Sequence, residues 1–402
     1  MVETESVAGT QTRPKLPRNV KVVGLASLLN DIASEMVYPF LPQFLIHVLL
    51  GNRFYLGMVE GAADSVAGFL KLWSGGWSDQ AGRRKAFVVF GYSLPAISRP
   101  IIAVVTAPWQ LLTVRVADRI GKGIRTAPRD ALIADSTDRQ IRGRAFGFHR
   151  AMDHLGAAIG PLLGAGLWWW FPDQFRVLFA LTIVPGLLVV AAVVFGLREA
   201  PCTEPPTERV RLTLKPFDRN FRRFLLALMI FTLGNSSDAF LLVRAGELGV
   251  STVWLPVLWC VFHVVKSTSN LLLGRAVDRF GPRPFLLTGW GIYAVVYLAL
   301  GLASETWHAW VLFLSYGVFY GLTEPAEKTL VANLAGPGRK GLAFGWYNFA
   351  TGIGTLPASL LFGALYDSYG ASAAFASGAG LAVSAAAVLL GVAAKPHKSI
   401  EN

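Results

Sequence analysis

The stretch Gly75–Tyr92, "GGWSDQAGRRKAFVVFGY", separates two long apolar runs, and Gly274–Trp290, "GRAVDRFGPRPFLLTGW", separates two others in the far half of the chain. In both, an aspartate stands four residues after a glycine (Asp79 after Gly75, Asp278 after Gly274), and a second glycine follows (Gly82, Gly281). A second pair of stretches repeats in the same order. "RGRAFGFHRAMDHLGAAIG" (142–160) is answered by "KGLAFGWYNFATGIGTLPA" (340–358), so that Gly143 matches Gly341 and Phe146-Gly147 matches Phe344-Gly345. "LLNDIAS" (28–34) has a weaker echo in "TLGNSSD" (232–238). The chain reads as one unit written twice.

The composition says what kind of unit. Of 402 residues, 53% are hydrophobic and only 15% charged, too apolar for an ordinary soluble domain. Apolar windows long enough to cross a hydrocarbon core of about 30 Å recur throughout, about twelve in all. They fall near 20–49, 54–78, 86–106, 108–133, 143–170, 174–197, 221–246, 252–277, 284–303, 307–333, 341–366 and 371–393. The long polar interruption, "REAPCTEPPTERVRLTLKPFDRNFRR" (198–223), lies between the sixth and seventh. The expected plan is all-α and membrane-integral: a polar tail (1–19), a six-helix bundle (20–197), a linker (198–220), a second six-helix bundle (221–393) and a short tail (394–402). Two bundles repeated in one orientation would hold a ligand near the midplane between them.

The net charge of +12 is positional and does not indicate a nucleic-acid partner. Lys15, Arg18 and Lys21, then Arg83, Arg84 and Lys85, then Arg139, Arg142 and Arg144, then Arg209, Arg211, Lys215, Arg219, Arg222 and Arg223 all fall on one side if twelve spans alternate. The other side has Arg53, Arg176 and Arg244. The positive-inside rule then places both termini in the cytoplasm and the chain in the plasma (inner) membrane. The first residues lack an apolar signal core, so they read as a tail. Cys202 and Cys260 are the only cysteines, which leaves no basis for a disulfide framework or a cysteine metal site. No cofactor is expected.

The motifs carry a resemblance. "GGWSDQAGRRK" is similar to the loop signature of the major facilitator superfamily, G-x-x-x-D-R-x-G-R-R-K, through Gly75, Asp79, Gly82, Arg83, Arg84 and Lys85, with Gln80 in place of the usual arginine. The second half keeps Gly274, Asp278, Arg279 and Gly281. "GAAIGPLLGAG" in the fifth span resembles that superfamily's antiporter signature through Gly156, Gly160, Pro161 and Gly164, with Ala165 replacing the last glycine. The resemblance implies a monomeric secondary transporter that moves a small organic solute by alternating access. Its first, fourth, seventh and tenth helices would line the cavity, and its third, sixth, ninth and twelfth would face lipid. The antiporter-like motif further implies proton-coupled export. The charges follow this plan, because an ionisable group in hydrocarbon is costly unless it faces protein or water. The ninth and twelfth spans have none, the sixth has Arg176 at its edge and the third has Arg99 alone. The fourth holds Arg115, Asp118, Arg119, Lys122, Arg125, Arg129 and Asp130, and the tenth holds Glu324, Glu327 and Lys328.

Among these charges Asp31 and Glu35, four residues apart, share one helix face. Two neighbouring carboxylates in a poorly hydrated place resist ionising together, which suits them to carry a proton through a transport cycle. The alternative is structural, each acid being paired with a cation of the fourth or fifth span. Glu60 and Asp64 repeat the spacing in the outer half of the second span, which fits a mouth or interhelical role. Arg115, Arg119, Lys122, Arg125 and Arg129 form one helical stripe. Either acids such as Asp31, Glu35, Asp64 or Asp153 neutralise it, or an anionic ligand does. In the fifth span His149 stands four residues before Asp153, next to Arg150 and His154. Asn30, Arg119, Lys122, Arg125, Asp153, Asn235, Asp238, Lys266, Glu324 and Glu327 are the substrate-cavity candidates. The loop residues form a cytoplasmic gate in which Arg83, near Asp79, pairs with Asp135. The matching positions of the second half, Pro282 and Asn333, carry no charge, so that half should lack an ionic latch.

Three readings compete. Proton-coupled export of a small organic solute comes first. Import of an organic anion would suit the cationic stripe. A membrane enzyme of prenyl-transferase type, holding Mg²⁺ on acids spaced like Asp31 and Glu35, would need a second acid-rich segment and would leave the repeat unexplained. A nucleotide-driven pump is disfavoured because no G-x-x-x-x-G-K-[ST] run occurs.

Overall fold

The computed structural model describes residues 15–41, 44–50, 53–199, 212–236, 238–250, 254–336 and 338–392. Most of the expected N-terminal tail, the middle of the linker with Cys202, the C-terminal tail, and the side chains of Glu60 and Asp64 lie outside the description. Among the described residues there are helices and no strands. The bilayer interior offers no partner to a free backbone amide, so each crossing must satisfy its own hydrogen bonds.

The first half comprises α1 (Arg18–Glu35), α2 (Arg53–Ala81), α3 (Lys85–Ile101), α4 (Pro108–Asp135), α5 (Arg142–Trp170) and α6, in two pieces, Phe175–Leu181 and Ile183–Gly196. The second comprises α7, also in two pieces (Arg219–Gly234 and Ala239–Glu247), α8 (Leu255–Phe280), α9 (Pro282–Leu302) and α10 (Thr306–Leu334). The run Lys340–Leu390 then divides at Gly370, whose φ of 81° interrupts the helix, into α11 (340–369) and α12 (371–390). By length and apolarity alone, six segments qualify as membrane spans, those of α3, α6, α8, α9, α11 and α12. The others, α1, α2, α4, α5, α7 and α10, are broken or carry the interior charges. The chain is a multi-pass membrane protein.

Three predicted spans are less regular than their sequence suggests. The first ends as an α-helix at Glu35 and continues as a 3₁₀ turn, Tyr38–Phe40, and a π-helical turn, Phe44–Val48. Pro39 lacks the amide that would extend α1. The seventh breaks after Gly234, where Asn235 is extended (φ −91°, ψ 91°). The sixth is interrupted at Thr182, whose hydroxyl donates back to the Phe179 carbonyl at 2.6 Å. Arg99, on the expected lipid-facing α3, instead points inward. It donates to Asp118 at 2.7 Å and to the Asn30 carbonyl at 2.9 Å.

The two halves meet along two seams, α5 against α8 and α2 against α11. Both seams are tightest at the end that carries the basic loops, called here the basic end. A Cβ on Gly143 would stand 2.6 Å from the Gly274 carbonyl oxygen, and one on Gly274 equally close to that of Gly143. Gly75 and Gly341 meet in the same way across the other seam. Backbones this close leave no room for a Cβ, which requires glycine at these points. The second half is also stiffened by stacked rings, among them Phe231 on Trp290 at 4.8 Å and Tyr293 on Tyr297 at 4.0 Å. Outward, Trp169, Trp170 and Phe195 are more than three-quarters exposed, as lipid-facing rings would be.

Because both seams are closed by glycine contacts, Gly274→Val should push α8 off α5 and open the basic end without unfolding the bundles. A cysteine placed at Asn348 should then react faster with a polar thiol reagent added from the basic side. An unchanged rate in folded protein would contradict this packing.

Candidate functional site

At the basic end each signature aspartate reaches across to the other half. Asp79 on α2 accepts from the backbone amides of Gly341 (2.9 Å) and Leu342 (2.6 Å) at the start of α11. Asp278 on α8 accepts from those of Gly143 (2.5 Å) and Arg144 (2.7 Å) at the start of α5. Each carboxylate therefore occupies the positive end of a helix, whose first amides have no internal partners. Gly82 (φ 60°) and Gly281 (φ 82°) make the left-handed turns that follow the two aspartates.

The arginine of this latch is Arg84, where the sequence suggested Arg83. Arg84 is buried, pairs with Asp79 and places its Nε 3.3 Å from Asp135. Arg83 is exposed. The left-handed turn at Gly82 shifts the inward-facing position by one residue, which spacing alone did not reveal. Asp135 also receives Lys340 from the second half at 2.6 Å, so the latch spans both halves where the sequence put it within the first. Asn333 has no charge but accepts from Arg142 at 2.8 Å. Arg279 is exposed, its guanidinium 5.1 Å from the Phe280 ring.

Inside the latch lies a cavity of about 520 Å³ between the halves. Of the sequence candidates, Asp31, Lys122, Arg125, Asp153, Asn235, Glu324 and Glu327 line it. Glu35, Asn30, Arg119, Asp238 and Lys266 do not. Asn30 is buried behind the wall, its amide donating to Asp31 at 2.9 Å. Arg119 stands 3.8 Å from Asp118. Asp238 accepts from Tyr316 (2.9 Å) and Tyr320 (3.0 Å), with Lys266 at 3.5 Å, and this group ties the α7 break to α8 and α10.

Two ion pairs cross the cavity from half to half. Arg150 joins Glu324, which also contacts His154 at 2.8 Å and accepts from Asn270 at 2.9 Å. Lys328 joins Asp130, which Arg129 meets at 3.2 Å. Buried charges survive by such pairing, and breaking one member costs more than the pair contributes. His149 is 3.7 Å from Asp153 and 3.0 Å from Ser27, so it belongs to the packing of α5 on α1. Lys71, Tyr320 and Tyr347 also line the cavity and were not singled out from the sequence. Lys71 did carry a signal, a lone cation within an apolar run.

The antiporter-like glycines lie behind the paired acids. A Cβ on Gly156 would come within 3.0 Å of the Asp31 Cβ, and one on Gly160 within 2.7 Å of the Glu35 Cβ. Gly164 meets the Met36 carbonyl in the same way, and Pro161 lies within α5. The motif brings α5 against the face of α1 that bears Asp31 and Glu35.

Two helical bundles joined at one end around a polar central cavity give the architecture of a membrane transporter. Comparison with known proteins gives the family. The model described as Major Facilitator Superfamily matches residues 23–265 and 260–402, and the chain belongs to that superfamily. It is a transporter and not an enzyme, which removes the prenyl-transferase reading. It is 30% identical over 358 residues to an uncharacterized MFS-type transporter of Methanocaldococcus jannaschii, covering 88% of this chain and 89% of that protein. It is 26% identical over 383 residues to the multidrug resistance protein MdtG of Citrobacter koseri, covering 90% and 92%. Among solved structures, the human organic anion transporter MFSD10 superposes with a TM-score of 0.78 at 19% identity, over 94% of this chain and all of that one, a likeness of fold.

The latch geometry separates two adjacent arginines. Arg84→Ala should lower stability by about 3 kcal/mol, as removal of one buried partner does, and raise labelling of cavity cysteines from the basic side. Arg83→Ala should change both little. Equal effects in thermal denaturation and labelling would return the latch to Arg83.

Proposed function

We propose that the protein is a proton-coupled secondary transporter that exports a small organic solute, with its basic end and both termini in the cytoplasm. In this orientation the latched state is closed to the cytoplasm. The observation that carries the coupling is the setting of Asp31. It lines the central cavity and accepts one hydrogen bond from a neutral amide, and Glu35 follows one turn along the same helix. A carboxylate so placed can exchange a proton with the cavity as access alternates. Export is supported by the α5 glycine motif packed against these acids and by the likeness to the multidrug resistance protein of Citrobacter koseri.

Import of an organic anion is the second reading. It is favoured by the cavity wall, where, among the described residues, Lys71, Lys122, Arg125, Arg129, Arg150 and Lys328 outnumber Asp31, Asp153, Glu324 and Glu327.

Asp31→Asn or Glu35→Gln should abolish solute accumulation driven by a pH gradient in proteoliposomes while leaving solute exchange across the membrane largely intact. Normal accumulation by both variants would remove these acids from the coupling. The direction is read by whether an inward proton gradient drives solute out of the cell or into it.

A further inference from the structure

The acids on the cavity wall each have a partner. Asp153 and Glu324 hold Arg150, Glu327 accepts from Tyr347 at 2.6 Å, and Asp31 accepts from Asn30. Just behind the wall, Asp130 serves Arg129 and Lys328. Arg125 is different. It is 4% exposed and lines the cavity, yet no carboxylate among the described residues pairs with it. Its Nη1 donates to the Gly91 carbonyl at 3.0 Å, its guanidinium carbon stands 4.3 Å from the centre of the Tyr92 ring, and its Nε is buried without a partner.

This position is imposed by packing. A Cβ at Gly91 would collide with that of Arg125 and lie 2.7 Å from the Gly121 carbonyl oxygen, so α3 and α4 lock at this point and fix the base of the side chain. A buried guanidinium with donors to spare is costly until an anion takes them, and its planar fork suits carboxylate, sulfonate or phosphate oxygens. The second half presents a different surface, with Leu228, Phe231 and Phe319 on the wall. Phe231 is held by Trp290 and lies 5.7 Å from Phe319, which makes a rigid apolar face.

We propose that the solute is an amphipathic organic anion, its acidic group bound by Arg125 in the first half and its apolar body resting on Phe231 and Phe319 in the second. The proposal rests on the central cavity being the transport site, and holds for either direction of transport. A ligand that must touch both halves favours the arrangements that bring its two contact surfaces together, so its binding biases their relative position.

The test uses the purified full-length protein and three probes with the same rings: 2-naphthoate, neutral 2-naphthamide and cationic 2-naphthylmethylammonium. Calorimetry should show 2-naphthoate binding about tenfold or more tighter than the other two, a difference of about 1.4 kcal/mol. Arg125→Gln should erase that preference and Arg125→Lys, which keeps the charge but loses the fork, should retain part of it. Thermal denaturation checks that each variant is folded. Phe319→Ala should weaken all three probes alike. A preference for the ammonium, an anion preference that survives Arg125→Gln, or absence of saturable 2-naphthoate binding would overturn the proposal. Counterflow in liposomes separates it from the transport reading. Binding of 2-naphthoate at Arg125 without counterflow of any probe would leave the anion site standing and remove transport through it. Counterflow of the ammonium alone would leave transport standing and remove the anion.

Discussion

A carboxylate withdrawn from water must be met by protein, and in this molecule the partner often comes from the other bundle. Asp79 and Asp278 are each answered by the opening amides of a helix in the opposite half, and Glu324 and Asp130 by cations across the cavity. In the closed arrangement each of these groups takes at least one of its partners from the opposite bundle. The closed basic end is therefore written into the solvation of four acids. An opening motion must supply water, a proton or a solute to each acid it exposes.

This constraint also explains how the apolar and polar helices divide the work. The helices that read most clearly as membrane spans, such as α9 and α12, have little to do with the cavity. Most of the helices that build it are marginal as spans because they carry its charges, and α8 and α11, which do read as spans, contribute His263 and Tyr347 to the wall. The breaks at the end of α1 and in the middle of α7 fall on this polar set, where an interrupted backbone can be served by side chains and by the cavity itself, while at the break of apolar α6 the Thr182 hydroxyl serves the Phe179 carbonyl. In α7 the break leaves Asn235 on the wall and sets Asp238 under the hydroxyls of Tyr316 and Tyr320.

Much of this was legible in the sequence, because a two-fold repeat and a hydrophobic thickness are patterns along the chain. The seams could be guessed from the paired glycines, and Asp31, Arg125, Asp153, Glu324 and Glu327 were named from charge in apolar surroundings. What could not be read depends on side-chain direction and on distant partners. Arg83 and Arg84 are neighbours with the same chemistry, and the choice between them is made by one left-handed turn. Lys340 comes to Asp135 from the far half of the chain, where no local spacing points to it. Tyr320 and Tyr347 look like ordinary core rings until the helices that bear them are placed. The breaks in α1 and α7 are hidden because an apolar run looks continuous whether or not its backbone is.

The two seams are alike in their aspartate-to-amide bonds but unequal in what surrounds them. Along α2 and α11, Arg84, Asp135 and Lys340 add an ionic cluster that joins the halves, whereas beside Asp278 Arg142 reaches across to Asn333 and to the Ala332 carbonyl. The two flanks are thus fastened by different means, one by an ionic cluster shared between the halves and the other by an arginine tied to neutral oxygen acceptors.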